Sequence, residues 1–322
     1  MSSDLVIIIA TYNYARFLAE AVDSALNQTF AGSFEIVVVD DGSTDETPEL
    51  IAKYADSGHV RYIRQENAGQ SVAFNNAIAN TASDFIMFFD ADDLLLDHCV
   101  ERTVAFLKSR ENLGLVFSDY EVFDAHGTVH PSGIGTWKNF RSIPHSVVRE
   151  DHWVFTGPLT PHIIKYGSFM PTSSLTVKRS LLSACSLFPE GCAYGGETDF
   201  CARYALHCES GYIDQVLSRK RDHPESIIHN DSRRVEYAAC NVEISEAQLH
   251  EFREHPELVA LLHRLLAVQT VDFGWGLLEA GRRKEALRVL RKYTRRYPRN
   301  MKLYRLWAKY LLRLRSSRNL RS

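Results

Sequence analysis

The run Leu5-Val6-Ile7-Ile8-Ile9-Ala10, then Phe17, Leu18, Ala21, Val22, Ala25 and Leu26 within Tyr14–Gln28, then Glu35-Ile36-Val37-Val38-Val39, decides the fold class. The outer segments are short, unbroken and β-branched, as expected of strands covered on both faces. The middle segment repeats its apolar residues every three or four positions, so it reads as a helix burying one face. Strand, helix, strand in that order predicts a parallel pair with a right-handed crossover. The alternation continues through Thr44–Ala55 (a helix with Ser43 or Thr44 as N-cap), His59–Ile63, Ser71–Asn80, Phe85–Phe89, His98–Lys108 and Leu113–Ser118. These segments predict an α/β fold: a mostly parallel, Rossmann-like sheet with helices on both faces. In such a sheet the ligand crevice lies beyond the carboxyl ends of the strands.

Past Tyr120 the pattern changes. Glu121–His130 reads as a hairpin turning at Ala125-His126-Gly127, and 131–170 reads as a long loop rich in Gly, Pro, His and Trp. A loop of that length is usually functional. Pro171–Val177 and Tyr212–Leu217 resume strand character around a helix near Glu197–Cys208, and from Ser232 onward the chain reads as helix.

Of the 322 residues, 45% are hydrophobic and 24% charged, which is ordinary for a globular protein. No apolar run reaches the roughly 18 residues of a membrane span. The start, Met1-Ser2-Ser3-Asp4, has no basic segment of the signal-peptide kind, so a cytoplasmic location is expected. Cysteines 99, 185, 192, 201, 208 and 240 form no Cys-x-x-Cys pair, which argues for reduced thiols and against a zinc site. Charge is segregated. Residues 282–322 hold sixteen Lys/Arg against the single acid Glu285, a balance of +15, so the first 281 residues carry −18. Such a tail is expected to meet an anionic partner.

Three acidic clusters follow apolar segments. Asp40-Asp41-Gly42-Ser43-Thr44-Asp45 leaves the second strand, where Asp41 could accept hydrogen bonds from a base or ribose; a turn with an N-cap explains it equally well. Asp90-Ala91-Asp92-Asp93 leaves the Phe85–Phe89 strand. Carboxylates packed that closely repel unless a cation is present, and hard oxygen donors suit Mg2+ or Mn2+. Strand alternation would put Asp90 and Asp92 on one side and Asp93 on the other, so the chain must turn there for Asp92 and Asp93 to share a ligand. Gly195-Gly196-Glu197-Thr198-Asp199 opens a helix, a position that stabilises acids and also suits a general base.

Taken with Ile7–Asn13, Ser24–Thr29, Asn67-Ala68-Gly69-Gln70-Ser71, Asn75-Asn76-Ala77-Ile78, Thr172-Ser173-Ser174, Glu197–Arg203 and Arg221–Ser226, these clusters resemble family-2 inverting glycosyltransferases of the GT-A fold. The resemblance covers about the first 230 residues. It implies a glycosyltransferase domain over 1–230, with a nucleotide-binding half over 1–120 and an acceptor-binding half over 121–230, and a basic helical extension over 231–322. It further implies that Thr11, Tyr12, Asn13, Asp40, Asp41, Asn67, Gly69, Asp90 and Asp92 bind the nucleotide-sugar. Asp92, Asp93 and His223 would hold Mn2+ or Mg2+, and Glu197, with Asp199 as runner-up, would be the base. The implied partners are a nucleotide-sugar donor, probed first as UDP-sugar, and a glycan or lipid-linked acceptor in cell-surface polysaccharide or glycoconjugate synthesis. The sequence departs from the family where Phe74 replaces an arginine and where Glu197 stands for the commoner aspartate.

Trp137 and Trp153 could stack on acceptor sugars or simply pack the 131–170 segment, while His126, His130, His145, His152 and His162 show no metal spacing. The basic tail divides at Pro298 into two amphipathic helices. One carries Ala286, Leu287, Leu290 and Tyr297; the other carries Leu303, Trp307, Tyr310, Leu311 and Leu314. They read as a packed hairpin resembling a tetratricopeptide unit, or as a peripheral anchor on the inner, anionic face of the cell membrane. No recognition motif for nucleic acid accompanies the charge. A dehydrogenase or a P-loop NTPase is excluded by the absence of the Gly-x-Gly-x-x-Gly and Gly-Lys-Ser/Thr signatures. A non-catalytic sugar-nucleotide or glycan-binding subunit is the remaining alternative.

Overall fold

Strand β1 (Leu5–Thr11) is buried at every position, as its unbroken apolar composition requires. The computed structural model describes residues 3–167, 169–225 and 233–319. After β1 come α1 (Ala15–Leu26), β2 (Phe34–Asp40), α2 (Thr47–Ala52), β3 (Val60–Arg64), α3 (Gln70–Ala79) and β4 (Phe85–Asp90). Strand β1 lies parallel between β2 and β4, and β3 extends the parallel set beyond β2. Next follow β5 (Leu94–Leu95), α4 (Cys99–Lys108), β6 (Leu113–Asp124), β7 (Gly127–His130), β8 (His145–Arg149), β9 (His152–Phe155), α5 (Thr160–Tyr166), β10 (Thr176–Lys178), α6 (Gly196–Tyr204) and β11 (Glu209–Arg221). The strand order is β3-β2-β1-β4-β10-β6-β11-β9-β8, with β5 paired to β11 and β7 to β6.

The sheet is parallel where the sequence alternates and mixed beyond. Strand β10 runs antiparallel to both β4 and β6, whereas β11 runs parallel to β6. On one face Leu5, Ile7, Ile9, Met87 and Phe89 join α1 and α4 in one core. Phe88, which alternates to the other face, meets Phe74 of α3 and Phe200 of α6 at 5.1 and 5.5 Å between ring centres.

Three segments differ from expectation. The 131–170 stretch holds the β8–β9 hairpin and α5, which short turns and irregular polarity conceal in sequence. The helix expected over Thr44–Ala55 is confined to Thr47–Ala52, and neither Ser43 nor Thr44 caps it. Asp45 Oδ1 instead accepts the Thr47 backbone N–H. Strand character in 171–177 is limited to Thr176–Lys178, because Thr172–Ser174 turns as a 3-10 segment.

The chain divides into two compact units: Met1–Cys192 with Gly196–Pro224, and Ala193–Gly195 with Glu225–Ser322. The second contains α7 (Arg234–Glu251), α8 (Pro256–Glu279), α9 (Arg283–Arg296) and α10 (Met301–Asn319). Ala286, Leu290 and Tyr293 of α9 and Leu303, Leu306 and Tyr310 of α10 are buried in one cluster with Leu266, Leu277 and Leu278 of α8. The apolar faces that could have entered a bilayer are thus spent on helix packing. The side chains of Leu311 and Leu314 lie outside the described residues, as do Ser226 and Ser232. No helix among the described residues is long and apolar enough to cross a membrane.

Candidate active site

The registers Thr11↔Asp40 and Ala10↔Asp90 bring the ends of β1, β2 and β4 to one edge of the sheet. The first acidic cluster there is bound up in its own chain. Asp40 accepts hydrogen bonds from the Ser43 N–H at 2.7 Å and from the Tyr62 hydroxyl. Asp41 accepts from Gln65 Nε2, Ala68 N and Gly69 N, each at 2.8 Å. Three donors nearly fill a carboxylate that has about four acceptor sites, so Asp41 holds the 65–69 loop in place. Gly69, with φ of 95°, caps the start of α3, and its amide is one of the three donors. Asn67 is exposed on the same loop.

Asn13 has a similar local role. It adopts a left-handed conformation (φ 57°), which asparagine tolerates better than most residues. Its N–H donates to Ser43 Oγ at 2.9 Å and its Oδ1 accepts the Thr44 N–H at 2.7 Å, joining the two loops. Tyr12 beside it is exposed. Thr11 is different: its Oγ1 is buried without a hydrogen-bond partner.

The second cluster is not satisfied from within. The chain turns after Asp90, with Asp93 N–H donating to Asp90 O at 3.3 Å, and ligand oxygens of Asp90, Asp92 and Asp93 lie within 4.8 Å of one another. Asp90 thereby joins Asp92 and Asp93, two of the three residues expected to hold the cation; the third, His223, is not in this group. Burial, then the charges of Asp93 and Asp92, raise the Asp90 carboxyl well above its ordinary value. Burial, then Asp92, push Asp93 up to about 6, although Ser173 Oγ and the Arg221 N–H both donate to it. Oxygen donors at this spacing, with a repulsion that Lys220 offsets only in part, fit a hard divalent cation.

Two cationic residues of β11 were missed in sequence. Burial works against the Lys220 ammonium, but Asp93 and Asp90 outweigh it and hold it above its ordinary value. Arg221 donates through Nε to Asp92 O at 3.0 Å, reaches Glu20 at 2.8 Å, and lies over the Phe17 and Phe123 rings at 4.8 and 4.6 Å. Gln70, also missed, donates to Asp90 Oδ1 at 2.9 Å. A signal existed in the basic run Arg219-Lys220-Arg221 at the end of a strand-like segment, but basic runs usually mark a solvated face. His223 Nε2 lies 3.0 Å from Asp92 Oδ2, and its ring packs against Phe17 and Tyr14.

The third cluster separates its two acids. Asp199 is buried and ion-paired with Arg203, which also donates to Leu187 O at 2.9 Å. Glu197 is half-buried in the first turn of α6, and its charge is felt at Asp90. Trp153 is buried and stacked on His145 at 4.1 Å, so it packs the fold and is not exposed for an acceptor sugar; Trp137 is half-buried.

A sequence model of glycosyl transferase family 2 matches residues 6–160, which carry both strand-end aspartate clusters. The chain belongs to glycosyltransferase family 2. An uncharacterized glycosyltransferase of Rickettsia felis is 37% identical over 216 residues, 67% of this chain and 32% of that protein. One from Nostoc is 38% identical over 112 residues, 34% of each. The matched region thus spans about a third of these curated relatives. Among solved structures, Staphylococcus aureus TarS (residues 1–349, with UDP-GlcNAc) gives a TM-score of 0.61 at 18% identity, covering 86% of this chain and 81% of that one. Likeness at that identity establishes the fold, which is GT-A. The mannosyltransferase PcManGT of Pyrobaculum calidifontis, with GDP-Man and Mn2+, gives 0.58 at 16%, covering 97% and 88%.

Proposed function

We propose that this family-2 protein transfers a sugar from a nucleotide-diphosphate sugar, a UDP-sugar in the first instance, to a hydroxyl of a glycan or lipid-linked acceptor, with inversion at the anomeric carbon. The observation that carries the proposal is the gathering of the Asp90, Asp92 and Asp93 carboxylates within 4.8 Å of one another at the end of β4. Asp92 and Asp93, with Asp90, would hold Mn2+ or Mg2+, which when bound supplies positive charge to the departing diphosphate. The unpartnered Thr11 hydroxyl suits a hydrogen bond to the nucleotide. Asp41 serves the donor indirectly, by fixing the 65–69 loop.

Glu197 would take the proton, a reading supported by the engagement of the runner-up Asp199 with Arg203. The acceptor oxygen forms a bond to the anomeric carbon while the carbon–phosphate-oxygen bond breaks. The bonding pair leaves with the nucleoside diphosphate, and the hydroxyl proton passes to Glu197. A single displacement inverts the centre.

The basic helices complete the proposal. Lys284, Arg288, Arg291 and Arg295 are all exposed, and their spacing sets them in one stripe along α9. With its apolar face buried, α9 would meet an anionic membrane surface by charge alone, at about 1 kcal/mol per basic residue. Adsorption to vesicles rich in phosphatidylglycerol that salt reverses is the expected result; binding equally to neutral vesicles refutes it.

The main test is calorimetry of UDP with and without Mn2+, paired with transfer assays over a panel of donors and acceptors. Binding that needs the cation in the natural protein and disappears in Asp93→Asn is expected. Cation-independent binding, or no transfer from any nucleotide-sugar, overturns the reading and leaves a binding subunit.

A further inference from the structure

Helix α3 touches both halves of the proposed machinery. At its start Gln70 donates to Asp90 Oδ1 at 2.9 Å, so the helix is tied to the acidic triad. One turn on, Asn75 is bonded to the backbone of Phe188. Its Nδ2 donates to Phe188 O and its Oδ1 accepts Phe188 N–H, both at 3.0 Å. A side-chain amide that both gives and takes from one residue mimics a strand pair, and it fixes the spacing of the two segments.

What Phe188 does with that fixed position matters for α6. Its ring stacks on Phe200 at 4.3 Å and 10° between planes, and Phe200 lies three residues after Glu197. Leu187 O, the neighbouring carbonyl, accepts from Arg203, one turn of α6 farther along. Phe74, where the family carries an arginine, completes the contact by meeting Phe188 and Phe88 at 5.1 Å each. At the head of α6, a Cβ on Gly196 would overlap Ser71 Oγ, with Pro189 Cδ and Ser71 Cβ at ordinary contact distances of 3.6 and 3.7 Å, so the first turns of α3 and α6 lie close together.

We propose that Asn75 is a positioning residue: through the Phe188–Phe200 stack it sets the separation between Glu197 and the aspartate triad. The inference rests on the reading of Glu197 as base. A base displaced by about 1 Å can lose up to about 100-fold in rate while leaving ligand binding elsewhere intact. Because Asn75 acts through Glu197, its loss should count only while Glu197 can accept a proton.

The test is a double-mutant cycle on the full chain, with turnover and the affinity for UDP with Mn2+ both measured. Asn75→Ala in the natural background should lower kcat roughly 10–100-fold and leave UDP affinity unchanged. In a Glu197→Gln background the same substitution should change kcat little, a non-additivity expected of residues acting as a unit. Equal losses in both backgrounds, or weakened UDP binding, overturn the role. If Glu197→Gln alone keeps full turnover, the base assignment falls instead, and the two failures are distinct.

A second pair guards against a folding defect in Asn75→Ala. Gly196→Ala should slow turnover by crowding α6 away from Ser71. Adding Ser71→Ala should restore it, because the overlapping oxygen is gone and Ser71 Cβ lies at an ordinary 3.7 Å. A Gly196→Ala protein that turns over normally, or one that Ser71→Ala does not rescue, refutes the close α3–α6 packing on which the inference stands.

Discussion

Two strand ends in the same sheet carry nearly the same sequence signal and do opposite things with it. Strand β2 runs into Asp40-Asp41 and β4 into Asp90-Ala91-Asp92-Asp93, each after a fully apolar stretch. In the first cluster the carboxylates bond to the protein's own backbone and side chains, and Asp41 alone receives three hydrogen bonds. In the second, burial and then mutual repulsion hold Asp90 and Asp93 above their ordinary values. Carboxylates satisfied by local amides build a loop; carboxylates gathered facing one another would suit a cation. Composition does not separate the two cases. The number of backbone N–H groups that the following turn aims at them does.

The contrast breaks most severely if the third cluster is wrong. Glu197→Gln keeps the shape of the residue and removes the base, so kcat should fall about 10²–10⁴-fold with donor affinity nearly unchanged. Steady-state turnover beside calorimetric UDP binding checks this, and a protein that turns over normally would leave the triad without a partner base. The next effect is on stability. Asp41→Ala strips the acceptor from the part-buried Ala68 and Gly69 amides and should destabilise the fold by roughly 3 kcal/mol, at about 1.5 kcal/mol for each hydrogen bond to a charged group. Urea unfolding measures it. A loss no larger than that of an exposed carboxylate would show that the loop does not depend on Asp41.

The triad should show the reverse sign. Asp93 titrates near 3.8 when unfolded and about 6 when folded, so the fold prefers its protonated form. The stability this contributes is fully present below 3.8 and is lost as pH rises towards 6; the raised Asp90 acts in the same direction. The Lys220 ammonium, held above its ordinary 10.5, stays protonated across that window and adds no titration of its own to the slope. Without divalent cation the protein should therefore lose on the order of 3 kcal/mol between pH 4 and 7, at about 1.4 kcal/mol per unit. Thermal melts should show Asp93→Asn flattening that slope and Mn2+ restoring stability at pH 7, since the ion binds the folded state. Melting temperatures that do not change with pH in the absence of metal would contradict the repulsion.

How far the sequence exposes this arrangement depends on which force places each part. Apolar runs such as Leu5–Ala10 and Phe85–Phe89 disclose the parallel half of the sheet, because burial on both faces leaves no other use for them. Asp92 and Asp93 are legible as a candidate pair because adjacent charges are costly without a reason. The reach of Lys220 and Arg221 into the triad is not legible: it depends on β11 pairing parallel to β6 and returning its end to the crevice. The commitment of Asp199 to Arg203 follows helical spacing, i to i+4, and was available from the sequence but outweighed by the motif. The β8–β9 hairpin was hidden because its first strand sits at the sheet edge, where β8 is mostly exposed and no apolar alternation is required.

The smallest expected effect probes the same contrast at a single atom. Thr11 Oγ1 is buried beside the satisfied cluster and yet has no partner. Thr11→Val exchanges the hydroxyl for a methyl of similar shape, so the free protein loses no hydrogen bond and sheds an unmet polar group. Its stability should rise slightly, by up to about 1 kcal/mol. If the hydroxyl is there for the nucleotide, UDP binding should weaken by about as much, close to fivefold in Kd. Opposite signs in the two measurements identify a group kept for a ligand at the expense of the fold. A Thr11→Val protein that is less stable and binds UDP as before would mean that Thr11 finds its partner within the chain, and that the pocket begins farther from β1.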